Sequence, residues 1–146
     1  MRRHHRLIFV NTSGWLALYN PNDPNHAAAR MLWDDLRNQP VRFVTTDYVL
    51  DQVFTAMKFF GSLDAAQALN TVINNTSLLR FFMTDSVIFE RAWKVFVSDE
   101  HPQFTFTDCI NYAVIQYLGA DEVFTFDRNF SAPGLMILPS PGGGER

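Results

Sequence analysis

The sequence predicts an α/β protein with a mainly parallel sheet of four or five strands and helices on both faces. Short runs of β-branched and aromatic residues alternate with longer segments in which apolar residues recur at helical spacing. Strands that alternate with helices in this way are joined by right-handed crossovers and pair in parallel. The 146 residues, 47% of them hydrophobic and 18% charged, are enough for one domain with a substantial core.

The first half of the chain contains two predicted strands, at residues 6–10 and 41–45, and three predicted helices. Gly61 is expected to end the second helix, and Ser62 to cap the third. The apolar stripes of the three helices consist of Ala29, Leu32, Trp33 and Leu36; of Val49, Leu50, Val53, Phe54 and Met57; and of Ala66, Leu69, Val72 and Ile73.

The second half contains predicted strands at residues 78–83, 122–126 and 135–138. Two further helical stripes consist of Phe89, Ala92, Trp93, Phe96 and Val97, and of Ile110, Ala113, Val114, Tyr117 and Leu118. Thr107 is the predicted N-cap of the last helix, and Gly119 is placed to end it. Residues 1–138 therefore form one predicted domain, and the Pro- and Gly-rich residues 139–146 form a predicted flexible tail.

The composition indicates where in the cell the protein is expected and argues against one mode of nucleic-acid binding. No apolar run has the ~20 residues of a membrane span, and the single cysteine, Cys109, excludes an internal disulfide, so we expect a cytoplasmic protein with no membrane association. The net charge of −3 and the pI of about 5.7 argue against a broad basic face that binds nucleic acid by neutralising its phosphates. They do not exclude a nuclease, because clustered carboxylates at a metal site also lower the pI.

Polar residues follow the predicted strands at the places where a parallel sheet binds its ligands. Asn11 follows the first strand and Asp127 the fourth, while Asp108 and Gln52 lie near the starts of two helices. Oxygen ligands that converge at this edge suit a hard cation such as Mg²⁺ or Mn²⁺. The alternative is that these residues close strands and cap helices, as Asp and Asn commonly do. Asp51 is expected to face solvent.

Four segments, in order, resemble the signatures of the PIN-domain family. They are FVNTSGWLAL at residues 9–18 (followed by DPNH at 23–26), TTDYVLDQ at 45–52, FTDC at 106–109 and TFDRNF at 125–130. Within the region 7–138, their spacing is about that of the family. The resemblance implies a three-layer α/β/α fold and a metal-dependent ribonuclease, often the toxin of a toxin–antitoxin pair.

Carried over by position, the catalytic residues implied by the resemblance are Asn11, Gln52, Asp108 and Asp127. Asn11, Asp108 and Asp127 would be the metal ligands, and the cofactor Mg²⁺ or Mn²⁺. The family normally has Asp at the position of Asn11 and Glu at that of Gln52. The partners implied are an RNA substrate, an antitoxin protein and a second copy of the chain in a homodimer.

Two amides in place of carboxylates predict a weakened or inactive site. Each amide is near-isosteric with its acid, but it removes a negative charge and brings NH₂ donors that cannot bind a cation. Three explanations stay open: drift to a binding-only or regulatory role, substitution that silences a toxic nuclease, and weak activity from two carboxylates. A phosphate-binding module of another class is disfavoured, because no Gly-rich loop lies between a strand and a helix.

Overall fold

The computed structural model describes residues 6–140, and the predicted tail residues 141–146 lie outside that range. Five strands form one sheet in the order β3-β2-β1-β4-β5, and every neighbouring pair is parallel. The strands are β1 (Arg6–Val10), β2 (Val41–Thr46), β3 (Leu79–Phe82), β4 (Glu122–Phe124) and β5 (Met136–Leu138). The predicted α/β class and the mainly parallel five-stranded sheet are confirmed.

Six helices connect these strands. They are α1 (Thr12–Tyr19), α2 (His26–Leu36), α3 (Asp47–Phe60), α4 (Leu63–Asn75), α5 (Ser86–Ser98) and α6 (Phe106–Leu118). Gly61 and Gly119 end α3 and α6, and Ser62 caps α4, as predicted. Thr107 is not the N-cap of α6: the helix begins two residues earlier, and Thr105 caps it in a capping box with Asp108.

The short helix α1 was not predicted, because its sequence has no amphipathic stripe. Gly14, Trp15, Ala17 and Leu18 are all buried, since the helix packs against other parts of the protein on several sides. The predicted fourth strand was too long by two residues: β4 ends at Phe124, and Thr125 and Phe126 continue toward the candidate site.

Large apolar side chains fill the core between the sheet and its helices. Trp15, Phe9, Phe43, Phe124 and Phe130 are among the largest side chains that are fully buried. Helix α1 packs against α2 and α3, whereas α5 packs mainly against α6; α3 also contacts α6. In the described part of the chain, no helix is long and apolar enough to cross a membrane.

The order of the strands creates a switch point between β1 and β4. From β1 the chain moves outward to β2 and β3, and it then returns to β4 on the other side of β1 and continues to β5. Ligands of open parallel sheets bind outside the carboxyl ends of the strands at such a point. At the opposite edge, the Arg6 guanidinium donates two hydrogen bonds to the buried Glu122 carboxylate and ties β1 to β4.

Candidate functional site

Asn11 lies at the carboxyl end of β1 and serves as the N-cap of α1. Its side-chain oxygen accepts a hydrogen bond from the backbone N–H of Thr12 at 2.9 Å, and the side chain is almost buried, with 5% exposed. Because a backbone N–H can only donate, the amide oxygen must face Thr12. The amide nitrogen, Nδ2, therefore occupies the other arm of the side chain and makes no hydrogen bond to a described residue.

Gln52 reaches the same place from the second turn of α3. The Thr12 hydroxyl lies 2.7 Å from the Gln52 Oε1 atom and donates to it. This contact links α1 to α3 at the end of β1 and leaves the Gln52 NH₂ group without a hydrogen-bond partner among the described residues. Its neighbour on the helix, Asp51, is exposed, as predicted.

Asp108 lies in the first turn of α6, and its side chain serves the helix as well as the site. One carboxylate oxygen accepts a hydrogen bond from the Thr105 backbone N–H at 3.0 Å, which closes the capping box. Burial raises the pKa of Asp108, hydrogen bonding from Thr105 partly opposes this, and the charge of Asp127 raises it further. The last effect places the two carboxylates within electrostatic reach of each other.

Asp127 follows β4 in a tight turn. Its Oδ1 atom accepts from the backbone N–H of Asn129 at 3.0 Å, so one oxygen shapes the turn and the other is left for a ligand. The Ser13 hydroxyl accepts from the Phe126 N–H at 2.8 Å and lies 3.0 Å from the Thr125 hydroxyl. These contacts attach the start of α1, and with it Asn11, to the segment that carries Asp127.

A buried hydrogen bond joins the helix that carries Gln52 to the helix that carries Asp108. The Thr46 hydroxyl caps α3 and donates to Asn111 Oδ1 at 2.8 Å, and both residues are fully buried. Asn111 lies one turn after Asp108, and its Nδ2 atom has no hydrogen-bond partner in the described residues. Direct contacts thus connect β1 and α1 with α3 and with the end of β4, and connect α3 with α6.

The linking residues Thr12, Ser13 and Thr46 were not singled out as functional from the sequence. Each is a hydroxyl residue next to a strand end, which is the signal that could have found them. Without the fold, however, such residues are equally consistent with ordinary caps and turns.

The side chains gathered here are a poor set of ligands for a divalent ion. Two carboxylates, Asp108 and Asp127, have one oxygen each outside the turns and caps described above. Asn11 and Gln52 each direct an oxygen to Thr12 in this structure and leave an NH₂ group, which cannot bind a cation. In residues 6–140, no group of three or more His, Cys, Asp or Glu side chains is arranged to hold a metal. The residues as they stand therefore do not fit a tightly held Mg²⁺ or Mn²⁺.

With this geometry established, comparison with known proteins assigns the chain to a family. Residues 8–134 match the PIN domain family model, and the chain belongs to that family. The resemblance found in the sequence motifs is thereby confirmed, together with the fold that it implied.

Particular relatives show how closely the chain follows known members. It is 30% identical over 130 residues to the 23S rRNA-specific endonuclease VapC20 of Mycobacterium tuberculosis strain H37Rv. The matched region covers 89% of this chain and 96% of the relative. The crystal structure of M. tuberculosis VapC20, described as a sarcin-ricin loop cleaving toxin, superposes with a TM-score of 0.76 and covers 88% of this chain and 95% of that one. The structure of VapBC2 from Rickettsia felis, bound to a DNA fragment from its promoter, has a TM-score of 0.66 at 12% identity, covers 90% of this chain and 96% of that one, and shares the fold.

Proposed function

We propose that this chain is a toxin-type PIN-domain endoribonuclease scaffold whose site is catalytically weakened or inactive. Membership of the family and 30% identity to an rRNA-specific endonuclease support the ribonuclease scaffold. The proposed site consists of Asn11, Gln52, Asp108 and Asp127, and the proposed substrate is an RNA, with a structured loop of ribosomal RNA as the first to test. Such a substrate requires the protein to act in the cytoplasm.

The orientation of Asn11 is the observation that carries the proposed loss of activity. An aspartate at this position could cap α1 with one oxygen and offer the other to a cation. Asn11 caps in the same way, but its second atom is a nitrogen that bears two hydrogens. A divalent ion in this family would activate water and stabilise charge on the phosphate, and weaker ion binding removes that assistance.

The test is metal-dependent cleavage of RNA that contains the sarcin-ricin loop. We expect no detectable cleavage by the chain in Mn²⁺ and clear cleavage by the double variant Asn11→Asp, Gln52→Glu. Loss of one directly acting group commonly costs on the order of 10²–10⁴-fold in rate, so two losses place activity below background. Asp108→Asn in the double variant should abolish the recovered activity.

The matched control is Asp51→Asn in the double variant, because Asp51 is an exposed carboxylate beside Gln52. It should leave the recovered cleavage unchanged. Efficient cleavage by the unaltered chain would contradict the weakened site, and a silent double variant would contradict the assignment of Asn11 and Gln52.

A non-catalytic PIN domain that binds RNA or a partner protein is the second candidate function. The two amide NH₂ groups, which have no hydrogen-bond partner within residues 6–140, favour it, because such donors hydrogen-bond neutral or anionic ligands without a metal. RNA binding in EDTA by the unaltered chain, together with a double variant that does not cleave, is the outcome expected of this alternative.

Two protein partners belong to the proposal. An antitoxin is supported by the fold shared with the VapBC2 complex component and with a chain of FitAcB from Neisseria gonorrhoeae, which has a TM-score of 0.61 at 14% identity and covers 89% of this chain and 95% of that one.

A homodimer is supported by the apolar stripe on α5: Phe89, Trp93, Phe96 and Val97 are each about half exposed. Monomeric proteins seldom leave such a stripe uncovered.

A further inference from the structure

A cavity of about 440 Å³ lies beside the candidate site, between the end of α1, the loop that follows it, and the junction of α3 with α4. It lies on the seam where α1 and α3 pack together. The seam begins at the Thr12–Gln52 hydrogen bond. Leu16 and Ala56, one turn further along each helix, line the start of the cavity. Tyr19 and Phe60, about two turns along each helix, lie roughly 11 Å from that hydrogen bond, since a helix advances 5.4 Å per turn.

Two aromatic rings line the cavity. Tyr19 contributes one at the end of α1, and Phe60 contributes the other at the end of α3. Phe60 is 89% exposed, which core packing does not explain for a ring of this size. Met57 and Leu16 add further apolar surface. A cavity lined by aromatic rings suits an aromatic ligand.

The rim of the cavity is polar and held in shape by its own hydrogen bonds. Asn20 Oδ1 accepts from the Asn22 N–H at 3.0 Å, and Asp23 Oδ1 accepts from the Asn25 N–H at 2.8 Å. The Asn20 NH₂ group and the second Asp23 oxygen make no hydrogen bond to described residues. The rim therefore presents the Asn20 NH₂ group as a donor and the Asp23 carboxylate, whose two oxygens keep free lone pairs, as an acceptor; the Asn22 amide and the Ser62 hydroxyl also line the cavity.

We propose that this cavity is a nucleobase subsite that selects guanine in the RNA bound at the candidate site. The inference rests on the proposed function and names where a base next to the reacting phosphate would lie. Guanine is the RNA base with two neighbouring donors, N1–H and N2–H₂, beside an acceptor, O6. The Asp23 carboxylate matches the donors and the Asn20 amide matches O6, while Tyr19 and Phe60 flank the base plane.

Binding through a base is also consistent with the negative net charge of the protein. With a net charge of −3, the chain has little phosphate neutralisation to offer. Stacking on aromatic rings can hold a base without any basic surface. A peptide N–H would offer one donor at a time to Asp23, the one carboxylate among the described lining residues, whereas guanine offers two adjacent donors, so the rim favours the base.

The experiment measures binding of short single-stranded RNAs to the unaltered chain in EDTA, so that no cleavage is required. RNAs that differ by one guanine, adenine, cytosine or uracil are compared by fluorescence anisotropy. We expect guanine to bind tightest, and Phe60→Ala to weaken its binding on the order of 10-fold. Asp23→Asn should remove the preference for guanine.

Phe59→Ala is the matched control, because Phe59 is a neighbouring ring that is 68% exposed and does not line the cavity. It should bind like the parent. Because Phe60 and Phe59 are both exposed, neither change threatens folding. Equal affinity for the four RNAs, or Phe60→Ala binding as tightly as Phe59→Ala, would overturn the subsite. Perturbation of the cavity resonances by an amphipathic peptide, but not by guanosine monophosphate, would also overturn it.

Failure of the subsite and failure of the proposed function give different results. If the double variant Asn11→Asp, Gln52→Glu cleaves RNA and Phe60→Ala changes neither its binding nor its base preference, the function stands and the subsite is wrong. If the double variant is silent while guanine preference depends on Asp23 and Phe60, the subsite stands and the nuclease assignment is wrong.

Discussion

Asn11 and Gln52 present the same functional group to the candidate site, but the fold constrains them differently. The oxygen of Asn11 is committed to a backbone N–H that can only donate, in an almost fully buried position. The oxygen of Gln52 faces a hydroxyl, which can donate or accept, on an exposed helix face. Gln52 can therefore turn its oxygen toward a ligand by rotating its amide, whereas Asn11 cannot.

This difference predicts that the two single revertants are unequal. Asn11→Asp should recover most of the affinity for Mn²⁺, because it replaces a fixed NH₂ group with an oxygen and adds a charge. Gln52→Glu should recover less, since only the charge is new. Calorimetric titration of both variants beside the parent measures this. A larger gain from Gln52→Glu would show that Asn11 does not face the ion.

The buried carboxyl of Asp108 predicts a dependence of stability on pH. Burial raises its pKa above that of an unfolded Asp, so the folded protein binds more protons between the two values, and stability falls as pH rises through that window. Asp108→Asn removes the buried charge and keeps an acceptor for Thr105. It should stabilise the fold at pH 7, less any loss of favourable charge at the start of α6.

Thermal unfolding at pH 7 and at acidic pH checks this expectation. The gain from Asp108→Asn should shrink as pH falls through the raised pKa and vanish below the ordinary pKa of Asp, where the parent is also neutral. Asp51→Asn, which changes an exposed carboxylate, should show no such trend. A stabilisation that persists unchanged at acidic pH would mean that the charge is not its cause.

At this scale the sequence predicted which residues to examine but not how they are oriented. Asn11, Gln52, Asp108 and Asp127 were found because strand ends and family motifs mark them. That Asn11 turns its nitrogen away from Thr12 depends on the start of α1, a helix whose buried surroundings leave no periodic pattern. The cap of α6 was misplaced by two residues, because Thr105 and Thr107 are both good capping residues; Asp108, three residues after Thr105, closes the capping box and distinguishes them.

At the scale of elements, the contact between α1 and β4 determines the geometry of the site. Gly14 lies where α1 crosses the end of β4, and a Cβ atom there would be 2.7 Å from the Phe124 carbonyl oxygen and 2.9 Å from its ring. The close approach lets Ser13 bond to Phe126, which brings Asp127 toward Asn11. A larger residue at position 14 must push the helix off the strand.

Gly14→Ala should therefore destabilise the protein by about 2–3 kcal/mol, because the obstructing atoms belong to backbone and a buried ring that cannot move aside. Gly61→Ala is the matched control: its nearest neighbour would be the Met57 carbonyl oxygen at 3.5 Å, an ordinary contact. Chemical denaturation of both variants measures the difference. If the two lose the same stability, α1 does not pack on β4 as closely as described.

At the scale of the whole molecule, the alternation of strands and helices was sufficient to predict the class and the parallel sheet. Pairing of β1 with β4 follows only from the way the chain returns after β3, which the spacing of apolar residues does not encode. The stripe on α5 shows that the spacing of apolar residues predicts a helix but not which of those residues are buried. Its spacing predicted a helix correctly, but only Ala92 of that stripe is fully buried, and its larger members remain half exposed.

Those exposed side chains predict self-association through α5. Trp93 is 52% exposed, while Trp15 is fully buried, so tryptophan fluorescence should shift to the blue as protein concentration rises and a second copy covers the stripe. Trp93→Glu places a charge at the centre of the proposed interface, where charged residues are depleted, and should yield a monomer in sedimentation experiments. Met31→Glu, at a residue of α2 that is 74% exposed, is the control and should leave the assembly unchanged. Both variants changing the mass equally, or neither changing it, would show that a second copy does not cover this face of α5.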